Sequence, residues 1–189
     1  MSPDTLAAAL QIPLARASLW ADPLSAAMDL CAIDSPAREA AFIAQCGHEC
    51  GRFLFLRELW GPTAAQKLYE PFTPTSKALG NTTAGDGFRY RGGGLIQITG
   101  RYNFRTMGQK IGVDLEGDPD QISHPDTASL ASAQFWADRN FNAYADVGDF
   151  LTLSRAINIG NPNSTATPNG MDDRSLLWTS CKAALGVTD

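Results

Sequence analysis

The residues best suited to chemistry are two glutamates. Glu49 follows His48 in a stretch whose other members include Phe42, Cys46, Phe53 and Phe55. Burial disfavours the charged form of a carboxyl group, the condition a general acid needs at neutral pH. The same position also suits a glutamate on the solvent face of an amphipathic helix. Glu58 comes nine residues later, beside Arg57. On an unbroken helix that spacing gives about 13.5 Å of rise and about half a turn of phase. Paired carboxyl groups that cleave glycosidic bonds stand about 5–5.5 Å apart in retaining enzymes and about 6.5–9.5 Å apart in inverting ones. If the two carboxylates cooperate, the helix must end between them and the chain must fold back. Gly51 and the turn Trp60-Gly61-Pro62 permit this. Otherwise Glu58 is an exposed charge next to Arg57.

Other chemistries find less support. Cys46 and Cys50 stand at i and i+4 and could share a metal, but the run Cys46-Gly47-His48-Glu49-Cys50 is not the His-Glu-x-x-His of zinc hydrolases. The histidines are His48 and His124, and no CxxC pair occurs. Two small core thiols are the default, and no metal or other cofactor is expected. There is no G-x-S-x-G elbow for a serine nucleophile. The glycine runs Gly85-Asp86-Gly87 and Gly92-Gly93-Gly94 are not followed by the G-K-[ST] of a phosphate loop.

Helices must position these groups. A helix is expected over Ile33 to Phe55, capped by Asp34 or Ser35, with Pro36 in its first turn and Phe42, Ile43, Cys46 and Cys50 as its buried stripe. Ala-rich Leu14 to Leu30 should hold an earlier helix. Thr73 to Gly94 reads as loops with a short hairpin around Ala84-Gly85-Asp86-Gly87. Leu95 to Ile98 is a strand or the start of a helix. Further helices are expected over Asn103–Ile111, Ser123–Asn140, Asp149–Ile157 and Asp172–Leu185, the last closed by Gly186, with a polar loop over Pro162–Gly170. The chain is therefore mainly α, with a small Gly-rich, hairpin-like insertion.

The chain has 189 residues, 44% hydrophobic and 19% charged, with a net charge of −5. These values suit one globular domain over residues 1–189. No apolar run reaches the ~20 residues of a membrane span. The acidic balance argues against charge-driven binding to nucleic acid. Met1-Ser2-Pro3-Asp4-Thr5 has no basic start and Leu6–Leu10 is too short for a secretion signal, so a cytoplasmic site of synthesis is expected. Four cysteines do not indicate a disulfide framework.

Three blocks in order carry a resemblance. Phe42-Ile43-Ala44-Gln45-Cys46-Gly47-His48-Glu49-Cys50-Gly51-Arg52-Phe53 resembles the AQ-x-x-HES-G-x-F signature of family 19 glycoside hydrolases. Gly80-Asn81-Thr82, Gly85-Asp86-Gly87 and Tyr90 to Phe104 resemble the family's GN-T, GDG and GRG-x-IQ block. Ala156 to Gly160, with Asp173-Arg174 downstream, resembles INGG and DR. The compact length and the lack of plant-type disulfide cysteines point to the endolysin branch of phages and prophages.

The resemblance implies a lysozyme-like fold of two helical lobes around a cleft. It implies Glu49 as catalytic acid, Glu58 as base on the attacking water and Thr99 as the holder of that water. It places Gln97, Tyr102 and Asn103 along the sugar cleft, Asn158 and Arg174 at later cleft and support positions, and His48 beside the acid, orienting the helix or a carboxylate. It implies an inverting mechanism, with the carboxyl groups far enough apart to admit a water. Three departures stand out. Gly93 replaces an arginine, for which Arg89, Arg91 or Arg101 could substitute. Cys50 replaces a serine, and Asn158-Ile159-Gly160 loses one glycine.

The function implied is hydrolysis of the β-1,4 bond between N-acetylmuramic acid and N-acetylglucosamine in peptidoglycan, ending in cell lysis. The expected protein is a monomer with no separate wall-binding domain. It is held in the host cytoplasm until a holin-type pore releases it to the wall, with no membrane insertion of its own. A chitinase is the first alternative. A catalytically dead carbohydrate-binding module is the second, and a metal-bound module using Cys46 and Cys50 is the third. An acidic body acting on an anionic polymer also predicts a basic margin at the cleft from Arg89, Arg91, Arg101 and Arg105.

Overall fold

The structure, a computed structural model, describes residues 1–188. Eleven α-helices occur among them. The first two are α1 (Pro3–Leu10), capped by the Ser2 side chain on the Thr5 N–H, and α2 (Leu14–Leu30). Next comes α3 (Pro36–Glu49), started by Ser35, which caps the Arg38 N–H, and by Pro36 in the first turn. Residues 40–47 are all buried, so α3 is wrapped on every side and forms the axis of the larger lobe.

α3 ends at Glu49, six residues short of the expected Phe55. Gly51, Arg52 and Phe53 follow with φ of +58°, +58° and +66°. A right-handed helix cannot run through three left-handed residues, two of which carry a Cβ that opposes this conformation. Packing holds them there. Phe53 is buried and stacks on Trp20 at 4.7 Å between centroids, and the Cys50 thiol accepts the Phe53 N–H at 3.2 Å.

Short helices follow, one before the expected loop and two within it. They are α4 (Ala64–Lys67), with a Thr63–Gln66 capping box, α5 (Pro74–Leu79), started by Thr73 and closed by Gly80 at φ +68°, and α6 (Asp86–Arg89). Ala84 to Gly87 therefore forms no hairpin. The β pairing is two isolated antiparallel bridges, Arg57 with Gly93 and Gly93 with Ile98. The remaining α-helices are α7 (Arg101–Ile111), α8 (Pro125–Asp138), α9 (Asn142–Asp146), α10 (Phe150–Asn158) and α11 (Met171–Leu185).

Two cores make two lobes. The larger gathers residues such as Leu6, Trp20, Phe42, Trp136 and Leu177, with α11 packed along α3. The smaller gathers Tyr90, Ile98, Phe104, Met107, Leu115 and Ile122. Ile96 and Phe135 touch both cores, and both line a cavity of about 370 Å³ where the lobes meet. The mainly α, lysozyme-like two-lobed architecture is thus present.

Candidate active site

Glu49 sits at the last position of α3, where the axis of the larger lobe reaches the surface. Its carboxyl is not enclosed by apolar side chains, as the sequence suggested. The side chain is 19% exposed, and its Oε1 accepts a hydrogen bond from Arg174 Nη2. Arg174 is 1% exposed and comes from α11, the helix packed on α3. The same guanidinium donates to Gln45 Oε1, one turn before Glu49, and through Nε to the Asn169 carbonyl at 3.0 Å. Gln45 in turn donates to Ser154 Oγ at 2.7 Å. Every nitrogen of the buried guanidinium is paired, as burial of a charge requires. Glu49 Oε2 accepts no hydrogen bond among the described residues.

His48 points to the other side of the helix end. Its Nδ1 lies 2.7 Å from Asp173 Oδ2, and Arg52 donates to Asp173 Oδ1 at 2.7 Å. Burial by itself would raise the Asp173 pKa, but the His48 and Arg52 contacts hold it below the usual carboxylate range. Gly170 (φ +67°) lets the chain pass over this histidine, since a Cβ there would fall 2.2 Å from His48 Cε1. Asn158 Oδ1 accepts the Asn169 N–H at 2.9 Å, so its side chain braces the loop that precedes α11.

Glu58 is reached after the left-handed turn. Its backbone N–H donates to the Gly92 carbonyl at 2.8 Å, and its Oε2 accepts the Gly92 N–H at 3.0 Å. Gln66 Nε2 donates to Oε1 at 2.9 Å. Both oxygens are therefore fixed. A Cβ at Gly92 would stand 3.3 Å from Oε2 and 2.8 Å from Gln97 Oε1, so the approach depends on glycine there. Gln97 (φ +54°) donates to the carbonyls of Phe55 at 3.0 Å and Gly94 at 2.9 Å, tying the fold-back segment to the Gly-rich block. Thr99 Oγ1 donates to the Gln97 carbonyl at 3.0 Å, and Asn103 Nδ2 to the Thr99 carbonyl at 2.7 Å.

The cavity between the lobes is lined by Gln97, Thr99 and Asn103 on one side and by Phe135, Arg139 and Ile157 on the other. Neither glutamate lines it, and Tyr102, half exposed, stands outside it over Gly80. The structure thus gathers the expected residues into three groups: Glu49 with Arg174 and, nearby, His48; Glu58 with the Gly92–Gln97 block; and Thr99 with Asn103 at the cavity. Gln45, Arg52 and Asp173 hold the carboxylates or their neighbours but carried no signal in the sequence beyond their place inside the motifs, and Gln66, outside the motifs, carried none.

Arg57, rather than Arg89, Arg91 or Arg101, fills the space left by Gly93. A Cβ on Gly93 would fall 2.9 Å from Arg57 Nη1. The Arg57 guanidinium lies over the Phe104 ring at 5.6 Å and donates to the Arg89 carbonyl at 2.8 Å. Its pKa is lowered by burial and by Arg91. Arg101 is committed elsewhere, paired with Asp86 and Glu116. Burial pushes the Asp86 pKa up, but Arg101 and the N–H groups of Thr83 and Thr82 hold it down. The expected basic margin is therefore partly neutralised. The two motif thiols are core groups: Cys50 Sγ donates to the Cys46 carbonyl at 2.9 Å, and burial pushes the Cys50 pKa up to about 12.

Comparison with known proteins gives the family. The family model described as chitinase class I matches residues 27–147, which include both glutamates and Thr99. A glycosyl hydrolase family 19 domain-containing protein of Haemophilus influenzae is 30% identical over 175 residues, covering 80% of each chain. Chitinase 6 of rice, Oryza sativa, is 33% identical over 157 residues, covering 82% of this chain and 55% of its own. The chain spans about half the length of the plant chitinases it matches. Chitinase C of Streptomyces griseus shares the fold, with a TM-score of 0.61 at 20% identity over 81% of this chain and 61% of that one. The chain belongs to glycoside hydrolase family 19.

Proposed function

We propose that the chain is a peptidoglycan-cleaving endolysin that hydrolyses the N-acetylmuramic acid–N-acetylglucosamine β-1,4 bond with inversion. The observation that carries the glycosidase reading is the fold-back after α3. It turns two glutamates that a continuous helix would separate into two fixed carboxyl groups at the ends of one short segment. Glu49 protonates the leaving oxygen through Oε2, while Arg174 holds Oε1. Glu58, anchored by Gly92 and Gln66, takes a proton from water, and Thr99 orients that water. Gln97 keeps the fold-back closed, and Asn103 and Tyr102 meet the sugar. His48, through Asp173, and Asn158, through Asn169, keep the surrounding chain in place.

The choice of peptidoglycan rests on cysteine usage. All four cysteines are free, which suits a protein stored in a reducing cytoplasm before a pore releases it to the wall. In this reading residues 1–189 act as one catalytic domain and as a monomer. A chitinase is the second reading, favoured by the names of the plant relatives. Measuring reducing ends released from purified peptidoglycan and from chitin oligomers separates the two. Turnover of peptidoglycan is expected, and turnover of chitin alone would sink the endolysin reading.

A further inference from the structure

Phe72 lies between α4 and α5. Its side chain is fully exposed and its backbone is left-handed, with φ of +76°. Both features are unfavourable for a large apolar residue, and such strain concentrates where a chain binds something. Beside it opens a hollow of about 680 Å³ lined by Pro71, Phe72, Pro74, Lys77, Asn81 and Thr82. The wall is rigid at Asn81, whose side chain donates to the Tyr69 carbonyl at 2.8 Å and accepts the Arg101 N–H at 2.8 Å. Lys77 is exposed and makes no ion pair among the described residues.

The hollow adjoins the cavity between the lobes. Leu79 lines that cavity and Gly80, the next residue, lines the hollow. Tyr102 stands on the ridge, where a Cβ on Gly80 would fall 2.6 Å from Tyr102 Cβ. A glycan strand leaving the cavity over Leu79 therefore meets Tyr102 and then Phe72. The face of a pyranose ring is apolar and its rim is polar, which matches an exposed aromatic ring next to amide, hydroxyl and ammonium groups.

We propose that this hollow is a distal subsite for the glycan strand. Phe72 stacks on a sugar ring and Lys77 meets a carboxylate of the strand's lactyl or peptide substituents. The carboxylate contact rests on the peptidoglycan reading above, whereas the stacking contact needs only a β-1,4 glycan.

Steady-state kinetics on long peptidoglycan strands and on an oligosaccharide that spans Glu49 and Glu58 but is too short to reach Phe72 test it. For Phe72→Ala, KM on long strands should rise about tenfold with kcat unchanged, while the short substrate is unaffected. Lys77→Met should raise KM on long peptidoglycan but not on long chitin. If wild type turns over chitin alone, the peptidoglycan reading has failed, and Phe72→Ala on long against short chitin chains then decides the subsite by itself. Equal effects on both lengths, or none on long strands, would overturn it. So would loss of binding to anionic vesicles, or of self-association, with strand KM unchanged.

Discussion

Glu49→Gln is expected to lower glycan turnover by about 10³-fold, within the range that general acid catalysis contributes. Glutamine keeps the volume of the side chain, and its amide oxygen can still accept from Arg174 Nη2. The fold should therefore persist, and a thermal midpoint close to wild type would show that the loss is chemical. Glu58→Gln should fall by a similar factor, because an amide cannot take a proton from water and its NH2 would face one of the two N–H donors, Gly92 or Gln66, that the carboxylate accepts from. The double variant should be little worse than either single one, since the two groups serve one step. The assay is reducing-end release alongside lysis of cells with permeabilised outer membranes. Equal lysis by wild type and Glu49→Gln would overturn the assignment of Glu49 as the catalytic acid.

The second large effect is expected at Gly93. Gly93→Arg drives a Cβ to within 2.6 Å of Ile122 Cγ2 and 2.9 Å of Arg57 Nη1, and brings a second guanidinium into a space Arg57 already fills. Overpacking of this kind costs about 1–3 kcal/mol, and the like charge adds to it. The damage should reach catalysis, because Arg57 and Glu58 are consecutive and both pair with the Gly92–Gly93 segment. Adding Arg57→Ala should recover stability and activity, leaving the overlap with Ile122 as the remaining defect. A double-mutant cycle by denaturant unfolding checks this, with a coupling of about 1–3 kcal/mol expected. Simple additivity would show that the two positions do not share the space.

Some of this site was legible in the residues alone. Pro36 behind a serine, and apolar positions at three- and four-residue steps, marked the helix that carries Glu49. Spacing alone also required a break before Glu58. Where the break falls was not legible. Gly51 is an ordinary left-handed residue, but Arg52 and Phe53 take that conformation only because Phe53 is held on Trp20, 33 positions away. Asp34 was an equal candidate for the cap, and only the Ser35 side chain fills that role. Ala84 to Gly87 has hairpin composition, yet Asp86 accepts from the Thr82 and Thr83 N–H groups and from Arg101, which winds the segment into a helical turn.

Contacts between distant segments were the hardest to read. Gly93 was recognisable as a departure, but Arg57, 36 positions earlier, is matched to it only through the bridge between them. The pairing of Arg174 with Glu49 depends on α11 lying along α3, a packing that neither segment announces. Most charged groups near the Gly-rich block proved to be structural ties, which is why composition overstated the basic margin.

The configuration of the first product tests the assignment of Glu49 and Glu58 most directly. Proton NMR of freshly cleaved glycan, recorded before mutarotation, distinguishes the two outcomes. A general acid and a base acting on water invert the anomeric carbon, so the new reducing end should appear first as the α-anomer. A product that appears first as the β-anomer would require a covalent intermediate and would contradict Glu58 as a base on water.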